Sequence, residues 1–147
     1  MRVTIVGSKE RSSTQDKEMV EQLIDMVSDS TFDVRFVCTD SWQIGVGQFV
    51  RTKCTEKVRG EFKHQVIIYD VRTYTSHLTK QEIADIYLAR NAALFKISDV
   101  LYFFSGSDRR GTIEDLVDQM VAAGRPVKVF MPGDKLALIG EGSKSGD

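Results

Sequence analysis

Two hydrophobic periods alternate along this chain of 147 residues. Short runs rich in β-branched and aromatic residues predict strands, and longer stretches with apolar residues three or four positions apart predict helices. The predicted strands are Arg2 to Val6, Val34 to Cys38, Val66 to Tyr69, Val100 to Phe104 and Val127 to Met131. Because strands that alternate with helices form parallel sheets covered by crossover helices, this pattern indicates an α/β fold.

Four helices are predicted between the strands. The first has an inward apolar stripe made of Met19, Val20, Leu23, Ile24 and Val27. The second, from Gly47 to Val58, has only a partial apolar face. The third starts after Thr79, which forms a capping-box pattern with Glu82. The fourth runs from Thr112 to Ala123, and Gly124 follows it as the expected left-handed residue.

Right-handed crossovers convert such a series into a single three-layer, Rossmann-like domain with a five-stranded parallel sheet in the order 3-2-1-4-5. This order places the first and fourth strands side by side. Ligands of such sheets bind beyond the carboxyl ends of the strands, where the order reverses. We expect residues 1–132 to form this domain and residues 133–147, rich in Gly, Ser and charge, to form a mobile polar tail.

Composition and charge narrow the class of partner. Twenty Lys and Arg side chains oppose twenty-one Asp and Glu, so the net charge of -1 offers no general attraction for nucleic acid or an anionic membrane. The apolar runs fall far below the roughly 20 residues of a membrane span, and no secretory apolar region follows the N-terminus. Cys38 and Cys54 lack metal-site spacing. We therefore expect a cytoplasmic protein without membrane contact, metal or cofactor.

The loop after the first strand combines glycine, hydroxyl and basic residues, a set suited to phosphate. Its candidate ligand-binding residues are Gly7, Ser8, Lys9 and Arg11. A second interpretation stays open for the hydroxyls of this loop, because Ser13 followed by Asp16 is also an ordinary helix cap.

The loop after the fourth strand is richer in such groups. Its candidate ligand-binding residues are Ser105, Gly106, Ser107, Arg109, Arg110, Gly111 and Thr112. The amides that open the fourth helix would offer an anion the positive end of the helix dipole. Here too an alternative stays open, because Thr112 with Asp115 fits a capping box that needs no ligand.

Arg90 and Asn91 interrupt the inward stripe of the third helix. The apolar members of that stripe are Ile83, Ile86, Tyr87, Leu94 and Ile97. Burying the two polar side chains without partners would cost several kcal/mol. Either they reach the edge of the helix, or they meet a ligand or a loop at the carboxyl end of the sheet.

Two further residues lie where strands end. Trp42 follows the second strand, where it would stack on a purine or complete the core. Asp70 follows the third strand and would accept a hydrogen bond from a ligand hydroxyl.

A resemblance now becomes visible in these segments. Ala89-Arg90-Asn91 is followed by the strand from Asp99 to Phe104 and then by Gly106-Ser107-Asp108-Arg109-Arg110-Gly111-Thr112. This series resembles the SLOG superfamily, which includes the LOG phosphoribohydrolases and DprA, and it is most similar to the small YspA-like nucleotide-binding branch. Gly7-Ser8 resembles the start of that branch. Where the branch usually opens its second helix with Gly-Ala-Asp, this chain has Gly45-Val46-Gly47.

The resemblance implies two functions of different class. The first is a module that binds a nucleotide or a nucleotide-derived small molecule, as a sensor or to sequester it. The alternative is an N-glycosidic phosphoribohydrolase in which Asp115 or Glu114 stabilises oxocarbenium charge and Arg90 holds the phosphate. The PGG motif of the LOG enzymes is replaced here, and their Glu aligns with the shorter Asp115. The superfamily implies a homo-oligomer; DNA binding like that of DprA is not expected, because the chain has no basic excess.

Overall fold

A five-stranded parallel sheet organises the described part of this computed structural model, residues 1–71, 77–107 and 112–136. Its strands are β1 (Arg2–Gly7), β2 (Arg35–Cys38), β5 (Gln65–Ile68), β6 (Val100–Phe104) and β7 (Val127–Phe130). Two shorter strands, β3 (Lys57–Val58) and β4 (Glu61–Phe62), pair as an antiparallel hairpin. The helices are α1 (Thr14–Ser30), α2 (Val46–Thr55), α3 (Lys80–Ile97) and α4 (Ile113–Ala122).

The strands of the main sheet lie in the order β5-β2-β1-β6-β7. When the hairpin strands are left out of the count, this is the predicted order 3-2-1-4-5, and the expected Rossmann-like α/β fold is confirmed. The sheet order reverses between β1 and β6, which pair in parallel from Val3 with Val100 to Gly7 with Phe104. The carboxyl ends of these two strands therefore lie side by side.

Successive residues of the central strands point to opposite faces of the sheet, and helices cover both faces. On one face the core contains Ile5, Phe36, Val20, Ile24, Phe49 and Val50, from β1, β2, α1 and α2. On the other face it contains Val6, Val37, Leu101, Leu94, Leu116 and Met120, from β1, β2, β6, α3 and α4. Each fully buried side chain of this size contributes about 1.5–3 kcal/mol.

The helix boundaries follow local signals. Ser13 and Asp16 form a capping box at the start of α1, and Thr79 and Glu82 form one at the start of α3. Gly124 takes the predicted left-handed conformation, with φ 70°. These three signals are short-range hydrogen bonds and backbone preferences, so the sequence alone was sufficient to find them.

The end of α2 differs from the prediction. The helix stops at Thr55 instead of Val58, because Lys57–Val58 is strand β3 of the hairpin. Arg59 and Gly60 form its turn with positive φ values of 56° and 85°, the conformation that two-residue hairpins favour. The predicted end of the domain also moves outward, because Leu136 is only 3% exposed and packs in the core. Residues 137–147 of the predicted tail lie outside the described residues.

Among the helices that the structure describes, none combines the length and the apolar character required to cross a membrane.

The first turn of α2 packs unusually close to the carboxyl ends of the strands. A Cβ placed on Gly47 would lie 1.8 Å from the carbonyl oxygen of Thr39. A Cβ on Gly7, at the end of β1, would lie 2.3 Å from Cγ2 of Val46. Two residues without side chains therefore allow the helix start to sit on the sheet edge.

We expect Gly47→Ala to destabilise the domain by about 3 kcal/mol or more, the upper end of the range for overpacking, because the clash is with backbone that cannot rotate away. Urea unfolding followed by circular dichroism measures the change. Gln48→Ala, one position along the same helix, is the control and should alter the free energy of unfolding by less than about 0.5 kcal/mol. A Gly47→Ala protein as stable as the control would contradict the close approach.

Candidate functional site

A cavity of about 430 Å³ lies at the sheet edge where β1, β2 and β6 end. Its walls are the loop from Gly7 to Glu10, the segment from Thr39 to the first turn of α2, the side chains of Tyr87 and Arg90 on α3, and the start of α4. The cavity therefore occupies the point where the strand order reverses, which is where α/β sheets hold their ligands.

The N-terminus of α2 faces this cavity. Gly45, Val46 and Gly47 line it, and no side chain in the described part of the chain caps the helix. The first hydrogen bond of the helix runs from the Phe49 amide to the Gly45 carbonyl, so the preceding amides have no intrahelical acceptor. These N–H groups present the positive end of the helix dipole to the cavity.

The start of α4 contributes a second helix N-terminus. Thr112 and Ile113 line the cavity, and within the described ranges the Thr112 side chain makes no capping hydrogen bond. The predicted capping box is absent because both groups of Asp115 have other partners. Its amide donates to the Thr112 carbonyl at 3.1 Å, and its carboxylate accepts from Gln119 Nε2 at 2.7 Å.

Arg90 is the buried cation of the site. Its side chain is 4% exposed, yet the residue lines the cavity. Nη1 donates to Asp40 Oδ2 at 3.2 Å, Nη2 donates to Asn91 Oδ1 at 3.1 Å, and the guanidinium lies 4.9 Å from the centroid of the Tyr87 ring. The polar interruption in the α3 stripe is therefore buried and partnered at the carboxyl end of the sheet.

Asn91 continues these contacts to α4. Its side chain is fully buried, and Nδ2 donates to the backbone carbonyl of Thr112. We call the series Asp40, Arg90, Asn91 and Thr112 the polar chain. It connects the end of β2 with α3 and the start of α4, and so it fixes three walls of the cavity relative to one another.

Asp40 is the residue of the polar chain that sequence reasoning missed. It lies two residues after β2 with a positive φ of 57°, a conformation that Asp tolerates better than most residues. Burial raises the pKa of Asp40 above its ordinary value, although Arg90 and Lys9 act in the opposite direction. Its position after the second strand, at the predicted edge, was a signal for a site residue.

Among the described residues, the hydroxyl of Thr39, beside Asp40, has no hydrogen-bond partner. The residue is 4% exposed and lines the cavity, and Oγ1 is buried. A buried hydroxyl without a partner loses hydration, at a cost of about 1–3 kcal/mol. A buried hydroxyl of this kind calls for an explanation, such as a water, an ion or a ligand that meets it. It therefore gives independent support for a site at the end of β2.

The loops after β1 and β6 meet at one rim, as expected. The Ser8 amide donates to the Phe104 carbonyl at 2.9 Å. Ser107 donates to Glu10 Oε2 from its amide at 3.3 Å and its hydroxyl at 3.2 Å. Gly106 packs directly against Glu10: a Cβ placed on Gly106 would lie 2.8 Å from the Glu10 carboxylate.

Arg11 has a different role from the one expected. The residue is 4% exposed, and Nη1 donates to the carbonyls of Ser105 and Phe130 at 2.7 and 2.9 Å. Nε donates to Asp16 at 2.9 Å. Burial would raise the pKa of Asp16, but hydrogen bonds from Arg11 and Ser13 outweigh it and hold the pKa below its ordinary value. Arg11 therefore joins the ends of β6 and β7 to α1 and is not a wall of the cavity.

All the site residues predicted from the sequence divide into three groups. Those that line the cavity are Gly7, Ser8, Lys9, Arg90 and Thr112. Those described but not among its lining residues are Arg11, Trp42, Asp70, Asn91, Ser105, Gly106, Ser107, Glu114 and Asp115. Arg109, Arg110 and Gly111 lie outside the described residues. Within the second group Asp70 accepts from the Ser41 amide and hydroxyl at 2.9 and 2.6 Å, so it anchors the loop after β2.

No protein-family model, curated protein or solved structure matches this chain. Within residues 1–71, 77–107 and 112–136, no group of three or more His, Cys, Asp or Glu side chains is placed to hold a metal ion.

We expect Arg11→Met to destabilise the domain by about 3 kcal/mol at neutral pH, the lower end of the range for breaking a buried ion pair. The substitution leaves the partly buried Asp16 carboxylate and the Ser105 carbonyl without this donor, whereas the Phe130 carbonyl keeps the Ser105 amide. The difference from the wild type should narrow as the pH falls below 3.8, the ordinary pKa of Asp16, because Asp16 contributes stability above that value and loses it as it protonates. Urea unfolding across this pH range tests both statements. Lys17→Met, exposed on α1, is the control; a constant difference at all pH values would contradict the role of Asp16.

The Arg90 and Asp40 side chains should show coupled stability effects. In a double-mutant cycle with Arg90→Met and Asp40→Asn, we expect an interaction energy of about 1–3 kcal/mol in the free energy of unfolding. Arg90→Met combined with Asp118→Asn, an exposed carboxylate on α4, should be additive within about 0.5 kcal/mol. Additivity in both cycles would mean that the ion pair does not hold the polar chain together.

Proposed function

We propose that this domain binds a nucleotide or a nucleotide-derived small molecule in the cavity at the carboxyl edge of the sheet, as a sensor or sequestering module. One observation carries the proposal: two helix N-termini and the buried guanidinium of Arg90 converge on a single cavity at the reversal of strand order. The resemblance to the YspA-like branch favours the same class of ligand.

The electrostatics of the cavity suit a phosphate. Each helix N-terminus stabilises a nearby anion by about 0.3–1 kcal/mol, and by up to about 2 kcal/mol where it is partly buried. Arg90 adds a charge that stays shielded from water, and Lys9 adds an exposed one at the mouth. The amides of α2 supply directional donors, as helix starts do for phosphate in other α/β folds.

The size and the apolar walls suit the rest of a nucleotide. A volume of about 430 Å³ falls within the roughly 300–1,000 Å³ that is usual for small-molecule sites. Apolar lining residues are Val6, Ile44, Val46, Phe103 and Ile113. Ile44 is 70% exposed at the edge of the cavity, where a base or sugar would cover it.

The phosphoribohydrolase is the weaker proposal. Neither Glu114 nor Asp115, the carboxylates that the resemblance would use, is among the residues that line the cavity. The acids that do line it are Glu10, which holds Ser107, and Asp40, which holds Arg90. The homo-oligomer and the cytoplasmic location stay predictions.

We expect adenosine and guanosine 5′-mono- and diphosphates, titrated calorimetrically at low salt, to include at least one that binds. Arg90→Lys should lower the affinity for that ligand by about 10-fold to 100-fold, since the substitution removes charge-assisted hydrogen bonds of about 1.5–3 kcal/mol. Lys9→Met, at an exposed position of the cavity lining, should weaken binding of that ligand by up to about fivefold.

Asp118→Asn is the matched control and should leave the affinity unchanged. Chromatography of the same mixtures measures release of free base. Absence of binding by all four nucleotides, or equal affinities for the wild type and both cavity variants, would overturn the proposal. Release of base that depends on Asp115 would favour the hydrolase.

A further inference from the structure

We propose, on the basis of the nucleotide-binding function above, that Asp40 accepts a hydrogen bond from the 2′- or 3′-hydroxyl of the ligand's ribose and thereby discriminates against analogues that lack that hydroxyl. The inference rests on one carboxylate oxygen. Asp40 Oδ2 accepts from Arg90 Nη1 at 3.2 Å. Among the described residues Oδ1 has no hydrogen-bond partner, and it is not one of the buried polar atoms, so an external donor can reach it.

The environment of Asp40 limits what that donor can be. The side chain is 29% exposed and the residue lines the same cavity as the two helix starts, so a ligand in that cavity can reach the carboxylate. An ionised carboxylate only accepts hydrogen bonds. Of the other charged side chains that line the cavity, Arg90 and Lys9 are donors that suit phosphate, and Glu10 already accepts from Ser107. A ligand that fits both kinds of wall carries a phosphate and, close to it, a hydrogen-bond donor.

A ribose hydroxyl fits this arrangement better than a base amine. Asp40 and a ligand phosphate would share the guanidinium of Arg90, so the donor must lie on the part of the ligand next to the phosphate. In a nucleotide the sugar hydroxyls lie close to the phosphate, and the amines on the base edge lie farther away. The open oxygen of Asp40 is therefore positioned for the sugar.

The backbone around Asp40 holds the carboxylate in place. Its left-handed conformation turns the chain between β2 and Ser41. Ser41 is fully buried and donates from its amide and its hydroxyl to Asp70, at 2.9 and 2.6 Å. The Gln43 amide returns to the Asp40 carbonyl at 3.4 Å. A carboxylate fixed at both its backbone and one oxygen loses little freedom when it meets a hydroxyl.

Calorimetric titration of the wild type with adenosine 5′-monophosphate and with its 2′-deoxy and 3′-deoxy analogues tests the proposal; should the panel above select another nucleotide, its own analogues replace these. At least one deoxy analogue should bind about tenfold or more weakly than the parent, the loss expected for a hydrogen bond to a charged acceptor. In Asp40→Gly, which keeps the left-handed backbone and removes the acceptor, parent and analogues should bind alike. Asp40→Asn, with a neutral acceptor, should give an intermediate ratio.

The ratio of affinities is the readout, because a change in Arg90 alone would affect all three ligands equally. Asp118→Asn should keep the wild-type ratio. Equal binding of all three ligands by the wild type would overturn the proposal while leaving nucleotide binding intact, and so would discrimination that persists in Asp40→Gly. Hypoxanthine lacks the exocyclic amine of adenine. If replacing adenine by hypoxanthine weakens binding and removing a ribose hydroxyl does not, the donor is on the base and the proposal is overturned too. Absence of binding by every ligand would be failure of the proposed function itself.

Discussion

A guanidinium buried at the carboxyl edge of the sheet must have partners, and the arrangement of this edge follows from that constraint. The desolvation cost of an isolated charge is far larger than the total stability of a domain, so Arg90 is compatible with folding only if acceptors are fixed around it. Asp40 and Asn91 supply them, and Asn91 is itself held on the Thr112 carbonyl. One charge thereby sets the relative positions of the β2 end, α3 and the α4 start.

Glycine and arginine at this edge have structural duties that resemble binding signals. Gly7 lines the cavity, but the reason for its missing side chain is the contact with Val46 of α2, which leaves no room for a Cβ. Arg11 follows the same glycine loop, yet its guanidinium holds carbonyls at the ends of β6 and β7. Part of this loop, rich in glycine and basic residues, therefore packs and holds the strand ends that surround the cavity.

The fold was predictable because its signals are periodic and local: alternating apolar runs, two capping boxes and a left-handed glycine. The polar interruption of α3 also singled out Arg90, which lines the cavity. Sequence reasoning missed the hairpin of Lys57–Phe62, because strands of two residues carry no period. It missed the α2 start as a wall of the site because every residue except proline has a backbone amide, so no particular side chain marks such donors. It missed Asp40 because a single acidic residue indicates a site only when the fold places it beside Arg90.

The polar chain also bears on how a ligand would bind. Since Arg90 already has Asp40 and Asn91 as partners, a ligand phosphate would join an existing set of contacts instead of neutralising an isolated charge. The gain per contact is then smaller, because part of the cation's field is already balanced by a carboxylate. In return the guanidinium is held in position beforehand, so binding orders few side chains. Beyond Arg90, affinity would then also depend on contacts that the polar chain leaves open, namely the amides of α2 and the Asp40 oxygen that accepts no hydrogen bond from the described residues. This favours recognition of the whole phosphate and sugar unit over binding of any small anion.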